Sequence, residues 1–210
     1  AGAAGPAGAA GVGDTLAAAG LLSPPRREQA FSLVARLLRV HWRALANGLP
    51  QLQTLLALLR HGLGSAHEPA AFRACLGACR DVACRRIADD RPLRAWLGQQ
   101  VDELLALVMA ARLEPCHASL HDEATECLHA ALARSAEEQH AGAPHPSLRL
   151  VQACLVAEHE LPPAQKQMLY DEFAAADSRD APSFSRNLSR LASDLAYLKG
   201  EALHFSSSVL

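Results

Sequence analysis

Aromatic residues are scarce in this chain, at 4%. Strands draw on aromatic and β-branched side chains, so the scarcity argues against a sheet protein. No stretch alternates apolar and polar residues for long enough to be a strand. No apolar run approaches the roughly 20 residues of a membrane span. Lysine is nearly absent: the basic residues are arginine apart from Lys166 and Lys199. The formal net charge is only -2, which argues against a generic polyanion binder. GxSxG, HExxH, P-loop and GxGxxG patterns are all missing, and with them the familiar signals for hydrolase, zincin and nucleotide chemistry.

What is present is leucine and alanine, in a chain that is 50% hydrophobic and 20% charged. That balance suits a globular helical protein, and 210 residues suffice for a sizeable core. Residues 1–13, "AGAAGPAGAAGVG", are low-complexity and read as a flexible lead. Residues 14–210 read as a single all-helical domain.

The apolar spacing predicts seven or eight helices. Phe31, Val34, Leu38, Trp42 and Leu45 recur at steps of three and four and place one helix over 26–46, closed by Asn47–Gly48. Others are expected from about Pro50 to Gly62, over 69–87, over 92–112 and over about 117–139. A short one follows near 148–156, then one from "LPP" (161–163) to Ala176 and one over 183–204. Short loops predict antiparallel sequence neighbours. The rhythm resembles HEAT or armadillo arrays in texture. No motif repeats at a fixed period, and a compact bundle fits equally well. Helices 50–61 and 92–112 are apolar over much of their circumference and are expected at the centre. Helices 26–46 and 183–204 look one-faced and are expected outside.

The most chemically suggestive stretch is "CHASLHDEATECLH", residues 116–129. On one α-helix, Cys116, Leu120, Ala124, Cys127 and Ala131 share a face, with His117 and His121 beside it. Cys127 then lies about 9 Å along the axis from His121, at 1.5 Å per residue. Zinc ligands sit within about 2.3 Å of the ion, so one helix does not assemble this set around a metal. The expectation is core for Cys127 and helix edge for the histidines, with no metal and no cofactor.

Six cysteines, Cys75, Cys79, Cys84, Cys116, Cys127 and Cys154, are scattered through helical patterns. They read as reduced thiols of an intracellular protein, cytoplasmic or nuclear. Cys75 and Cys79 share a stripe with Phe72 and Val82. Cys84 falls off that stripe among Arg80, Arg85 and Arg86, which makes it the candidate reactive thiol. Arg36, Arg39 and Arg43 form one basic group, and Arg73, Arg80, Arg85 and Arg86 another, with Asp81, Asp89 and Asp90 placed to neutralise it. Both groups are candidates for contacting a partner. Two patterns are weak. "LQTLL" (52–56) fits the LxxLL form, and Ser208 with Leu210 fits the C-terminal form that PDZ domains capture.

Together these features predict a non-enzymatic scaffold or adaptor domain. It would bind a protein partner, a helix or a peptide, through a helix-lined apolar groove rimmed by arginines. One alternative is a basic helical surface for RNA or another polyanion. Another is a thiol- or metal-dependent enzyme. No membrane insertion is expected.

Overall fold

The computed structural model describes residues 24–64, 68–84, 91–137, 145–176, 178 and 180–207. Expectations for the 1–13 lead, Arg85, Arg86, Asp89, Asp90 and the 208–210 tail lie outside these residues. The side chains of Cys116 and His117 do too. The described residues form nine α-helices and one 3-10 turn, with no strand among them. They are α1 (Pro24–Val40), α2 (Trp42–Asn47), α3 (Leu49–Gly64), α4 (Pro69–Ala83), α5 (Arg91–Leu113), α6 (His121–Glu137), α7 (Pro146–Ala157), α8 (Pro163–Ala175) and α9 (Ala181–Ser207). The all-α expectation is met. The chain divides into two compact units, the first ending at Leu107 and the second starting at Val108, inside α5.

Prolines open most of the helices. Pro69, Pro146 and Pro163 each stand in a first turn, where the missing N–H costs nothing. The helix expected over 26–46 is bent. His41 departs from helical geometry at φ -104°, ψ 20°, and separates α1 from α2. Its N–H still donates to the Leu37 carbonyl at 2.9 Å, and its carbonyl accepts from Leu45 N–H at 3.0 Å. The bend therefore loses little hydrogen bonding, and Trp42 just past it is buried.

In the first unit, α1 packs on α4 and both pack on α3. Two ion pairs set the directions. Arg27 near the start of α1 meets Glu68, just before α4, at 2.6 Å, and Arg39 near its end meets Asp81 near the end of α4 at 2.6 Å. So α1 and α4, which are separated in the chain by α2 and α3, run parallel. The core here is Phe31, Val34 and Leu38 of α1, Leu52, Leu56, Leu59 and Leu63 of α3, and Phe72, Cys75, Leu76, Cys79 and Val82 of α4. Gly62 of α3 lies at the meeting point. A Cβ built there would stand 2.8 Å from Phe31 Cε1 and closer still to Cys75 Sγ. Only glycine lets three helix surfaces approach so closely. Arg60 ties α3 to the first part of α5, pairing with Glu103 at 2.8 Å and donating to the Gln100 side chain.

In the second unit, α9 packs on α6 and α8, and α7 packs on α8 and α6. Phe184 of α9 anchors it, with its ring 6.5 Å edge-on from Phe173 of α8 and 5.7 Å from the His129 ring of α6. Leu128, Val151, Leu169 and Leu188 are among the other fully buried side chains of this unit.

Candidate functional site

The first arginine group lies along one helix and across its bend. Arg36 and Arg39 are exposed on α1, and Arg43 is exposed on α2. They flank something the spacing did not suggest. Leu33 and Val40 of α1 are 57% and 62% exposed, and Leu37 between them is half-buried. These three recur at i, i+4 and i+7, so they line one stripe. At 100° per residue that stripe lies about 130° round the helix from the buried Phe31–Val34–Leu38 face. Helix α1 is thus apolar on two sides, which corrects the one-faced reading of 26–46.

The second group stands on α4 rather than α1. Arg73 and Arg80 stand on the outer face of α4, seven residues apart with Gly77 between them. Arg39 of the first group pairs with Asp81 of α4 at 2.6 Å, which commits it to that helix. By contrast Arg26, Arg36 and Arg43 have no carboxylate partner among the described residues.

Cys84 is exposed and stands at the C-terminal cap of α4, its N–H donating to the Arg80 carbonyl at 3.0 Å. A helix C-terminus carries partial negative charge, which opposes the effect of neighbouring arginines on a thiol. What the position gives Cys84 is access. Cys75, Cys79 and Cys127 are buried, as the stripe predicted. Burial pushes the Cys75 thiol up to about 12. Burial and then Glu158 push Cys154 up to about 11.

The 116–129 stretch is not one helix. Pro115–Leu120 forms a 3-10 turn, and α6 begins only at His121. A 3-10 turn advances about 2.0 Å per residue with three residues per turn, so the backbone before His121 does not continue the α-helix expected there. Cys127 is core, as expected. Among the described residues, no three His, Cys, Asp or Glu side chains are placed to share an ion.

His121 has a different partner, and spacing did not reveal it. Arg112, near the end of α5, is only 4% exposed. Its guanidinium donates to Thr125 Oγ1 at 2.9 Å, to His121 Nδ1 at 3.3 Å and to Ser189 Oγ of α9 at 2.7 Å. Arginine only donates, so His121 Nδ1 accepts and its Nε2–H donates to the Glu114 carbonyl at 3.1 Å. That selects the neutral Nε2–H tautomer. Burial lowers the Arg112 pKa, and Asp122 partly offsets it. The cluster ties α5, α6 and α9 together through neutral acceptors. One signal was legible: Arg112 follows Leu105, Val108 and Met109 at core spacing.

A second histidine pairs with serine. His145 caps α7, where its Nδ1 accepts from the Ser147 N–H at 3.3 Å and lies 2.8 Å from Ser147 Oγ. Ser147 is 1% exposed, so this contact is a helix cap rather than a nucleophile presented to solvent.

A small depression lies between α8 and α9. Leu169, Phe173, Ala176 and Leu191 form its floor, and Glu172, Asn187, Arg190 and Asp194 its rim. Its space is about 10 Å³, roughly one water. The rim carries two carboxylates on one guanidinium: Arg190 meets Glu172 at 3.2 Å and Asp194 at 3.6 Å. The LxxLL leucines Leu52 and Leu56 are 0% exposed and belong to the core. No helix among the described residues is long and apolar enough to cross a membrane.

No protein-family model matches the chain, and no curated protein or solved structure matches it at a significant level.

Proposed function

We propose that the chain is a non-enzymatic scaffold or adaptor module that docks a protein partner on the outer face of α1. One observation carries the reading: Leu33 and Val40, 57% and 62% exposed, stand opposite the buried face of a helix that is already anchored. Single exposed aliphatics are ordinary, whereas a stripe of them at helical spacing, bordered by arginines, has the make-up of an interface centre and rim. A cytoplasmic or nuclear setting belongs to the same proposal and rests on the five described cysteines, all of them free thiols.

The second reading, a surface for RNA or another polyanion, uses the same arginines. It leaves the aliphatic stripe at their centre without a role, and the stripe offers no aromatic side chain for base stacking.

The test is affinity capture with wild type and with Leu33→Asp/Val40→Asp, both first shown to keep helical circular dichroism and melting temperature. A stoichiometric partner retained by wild type and lost from the variant supports the reading. Equal capture by both refutes it.

A further inference from the structure

Resting on the α1 docking face, we infer that its partner is an acidic amphipathic helix, with Arg36 and Arg43 selecting the carboxylates and Leu33, Leu37 and Val40 seating the apolar side. The charge on this face has one sign. Arg26 and Arg36 lie on the same side of α1 as the stripe, and Arg43 stands exposed just past the bend at His41. None of the three has a carboxylate partner among the described residues, while the neighbouring Arg27 and Arg39 are both engaged with α4 or its start. The one acid of α1, Glu28, comes five residues before Leu33 and is turned about 140° from it. The chain thus pairs the arginines that face α4 and leaves the outward ones uncompensated.

The dimensions suit a helix. Leu33 to Val40 covers about 10 Å and Arg26 to Val40 about 21 Å, two to four turns. A stripe at i, i+4 and i+7 offers the ridge that a second helix packs against. Bidentate arginine contacts to Glu or Asp would fix register and orientation. Three other occupants fit less well. A nucleic acid would lay phosphates over leucine and valine. A membrane surface would find two exposed aliphatics and no aromatic anchor. A second copy would bring arginine against arginine.

Fluorescence anisotropy on the full chain tests this with labelled synthetic helices of about sixteen residues. One carries Leu at i, i+4, i+7 and i+11 flanked by Glu, and its counterpart has Gln in place of Glu. The acidic peptide should bind about tenfold or more tighter, and added salt should shrink that margin. Arg36→Glu/Arg43→Glu should abolish the margin, and Leu33→Asp/Val40→Asp should abolish binding of both peptides. Equal binding of the two peptides, both lost on Leu33→Asp/Val40→Asp, overturns the acidic partner while sparing the docking face. No binding of either peptide, or binding indifferent to Leu33→Asp/Val40→Asp, overturns the docking face itself. Tighter binding to a single-stranded RNA oligonucleotide or to phosphatidylserine vesicles overturns the choice of a protein partner, as does a stable dimer in sedimentation equilibrium.

Discussion

Replacing Gly62 by alanine isolates the closest packing in the first unit. In an ordinary helix interior the change would stabilise by about 1 kcal/mol, because alanine restricts the unfolded chain and favours the helix. Here the added methyl would stand 2.8 Å from Phe31 Cε1, 3.0 Å from Phe31 Cδ1, and nearer still to Cys75 Sγ. Phe31 is 4% exposed and Cys75 1%, so neither side chain has solvent to retreat into. Relief requires α1 and α4 to move away from α3 together. Overpacking of this kind costs about 1–3 kcal/mol, and two helices displaced at once place it toward the upper end. The net expectation is destabilisation by about 1–2 kcal/mol, a fall in melting temperature of about 4–15 °C for a unit of about a hundred residues. Gly77 on α4 is the matched control, since a Cβ there meets nothing within 4 Å. Gly77→Ala should therefore stabilise by about 0.5–1 kcal/mol. Urea unfolding followed by far-ultraviolet circular dichroism reads both. A second cycle in a Cys75→Ala background should recover part of the Gly62→Ala cost, because the nearest obstructing atom is gone. A Gly62→Ala protein as stable as wild type, or two glycines that respond alike, would refute the three-helix junction.

Maleimide labelling of the native protein, read by peptide mass spectrometry, should modify Cys84 well ahead of Cys75 and Cys154, whose thiols burial pushes up to about 12 and about 11. Fast labelling at Cys75 would mean that α4 is rotated from its observed phase. His145 is held below its ordinary value of 6.5, first by partial burial and then by His129 on α6. The unfolded chain therefore binds this proton more readily, so the contribution is complete above pH 6.5 and is lost as pH falls through the lowered folded value. His145→Asn keeps a cap without the titration, so its stability relative to wild type should rise between pH 7.5 and pH 5. An unchanged difference across that range would reject the linkage. Arg112→Ala should cost about 2–4 kcal/mol through lost packing of the stem. Arg112→Met should cost less than half as much in chemical denaturation, because it fills the volume and removes a desolvated charge held by neutral acceptors; equal costs would mean that the hydrogen bonds dominate.

Helix positions were legible in the sequence because the repeat of apolar residues and the placement of proline act locally. Pro69 and Pro163 marked helix starts for the same reason they occur there, whereas Pro146, read within the loop before 148–156, opens α7 itself. Local pattern was silent where tertiary packing decides. Nothing at His41 announces a bend: the apolar steps from Val34 through Leu38 to Trp42 run straight across it, and the break shows only in the backbone angles. The helix expected over about 117–139 instead begins at His121, after a 3-10 turn over Pro115–Leu120 that no local pattern announced. The parallel pairing of α1 with α4 is carried by Arg27–Glu68 and Arg39–Asp81, contacts about forty residues apart along the chain.

The candidate site divides along the same line. The spacing of Arg36, Arg39 and Arg43 identified a basic helix, but composition cannot tell an engaged arginine from an outward one. That distinction came from Asp81, which claims Arg39 and leaves Arg36 without a carboxylate. Leu33, Leu37 and Val40 were present in the sequence as plainly as Phe31, Val34 and Leu38. With both sets on one helix, period alone does not say which faces the core, because either stripe satisfies the same spacing. Packing against α3 and α4 took the Phe31 set, whose ring meets Gly62 at the junction, and left the smaller Leu33 set to solvent. The proposed docking face is therefore a consequence of that junction: the close approach at Gly62 that fixes the phase of α1 also fixes which leucines a partner can reach.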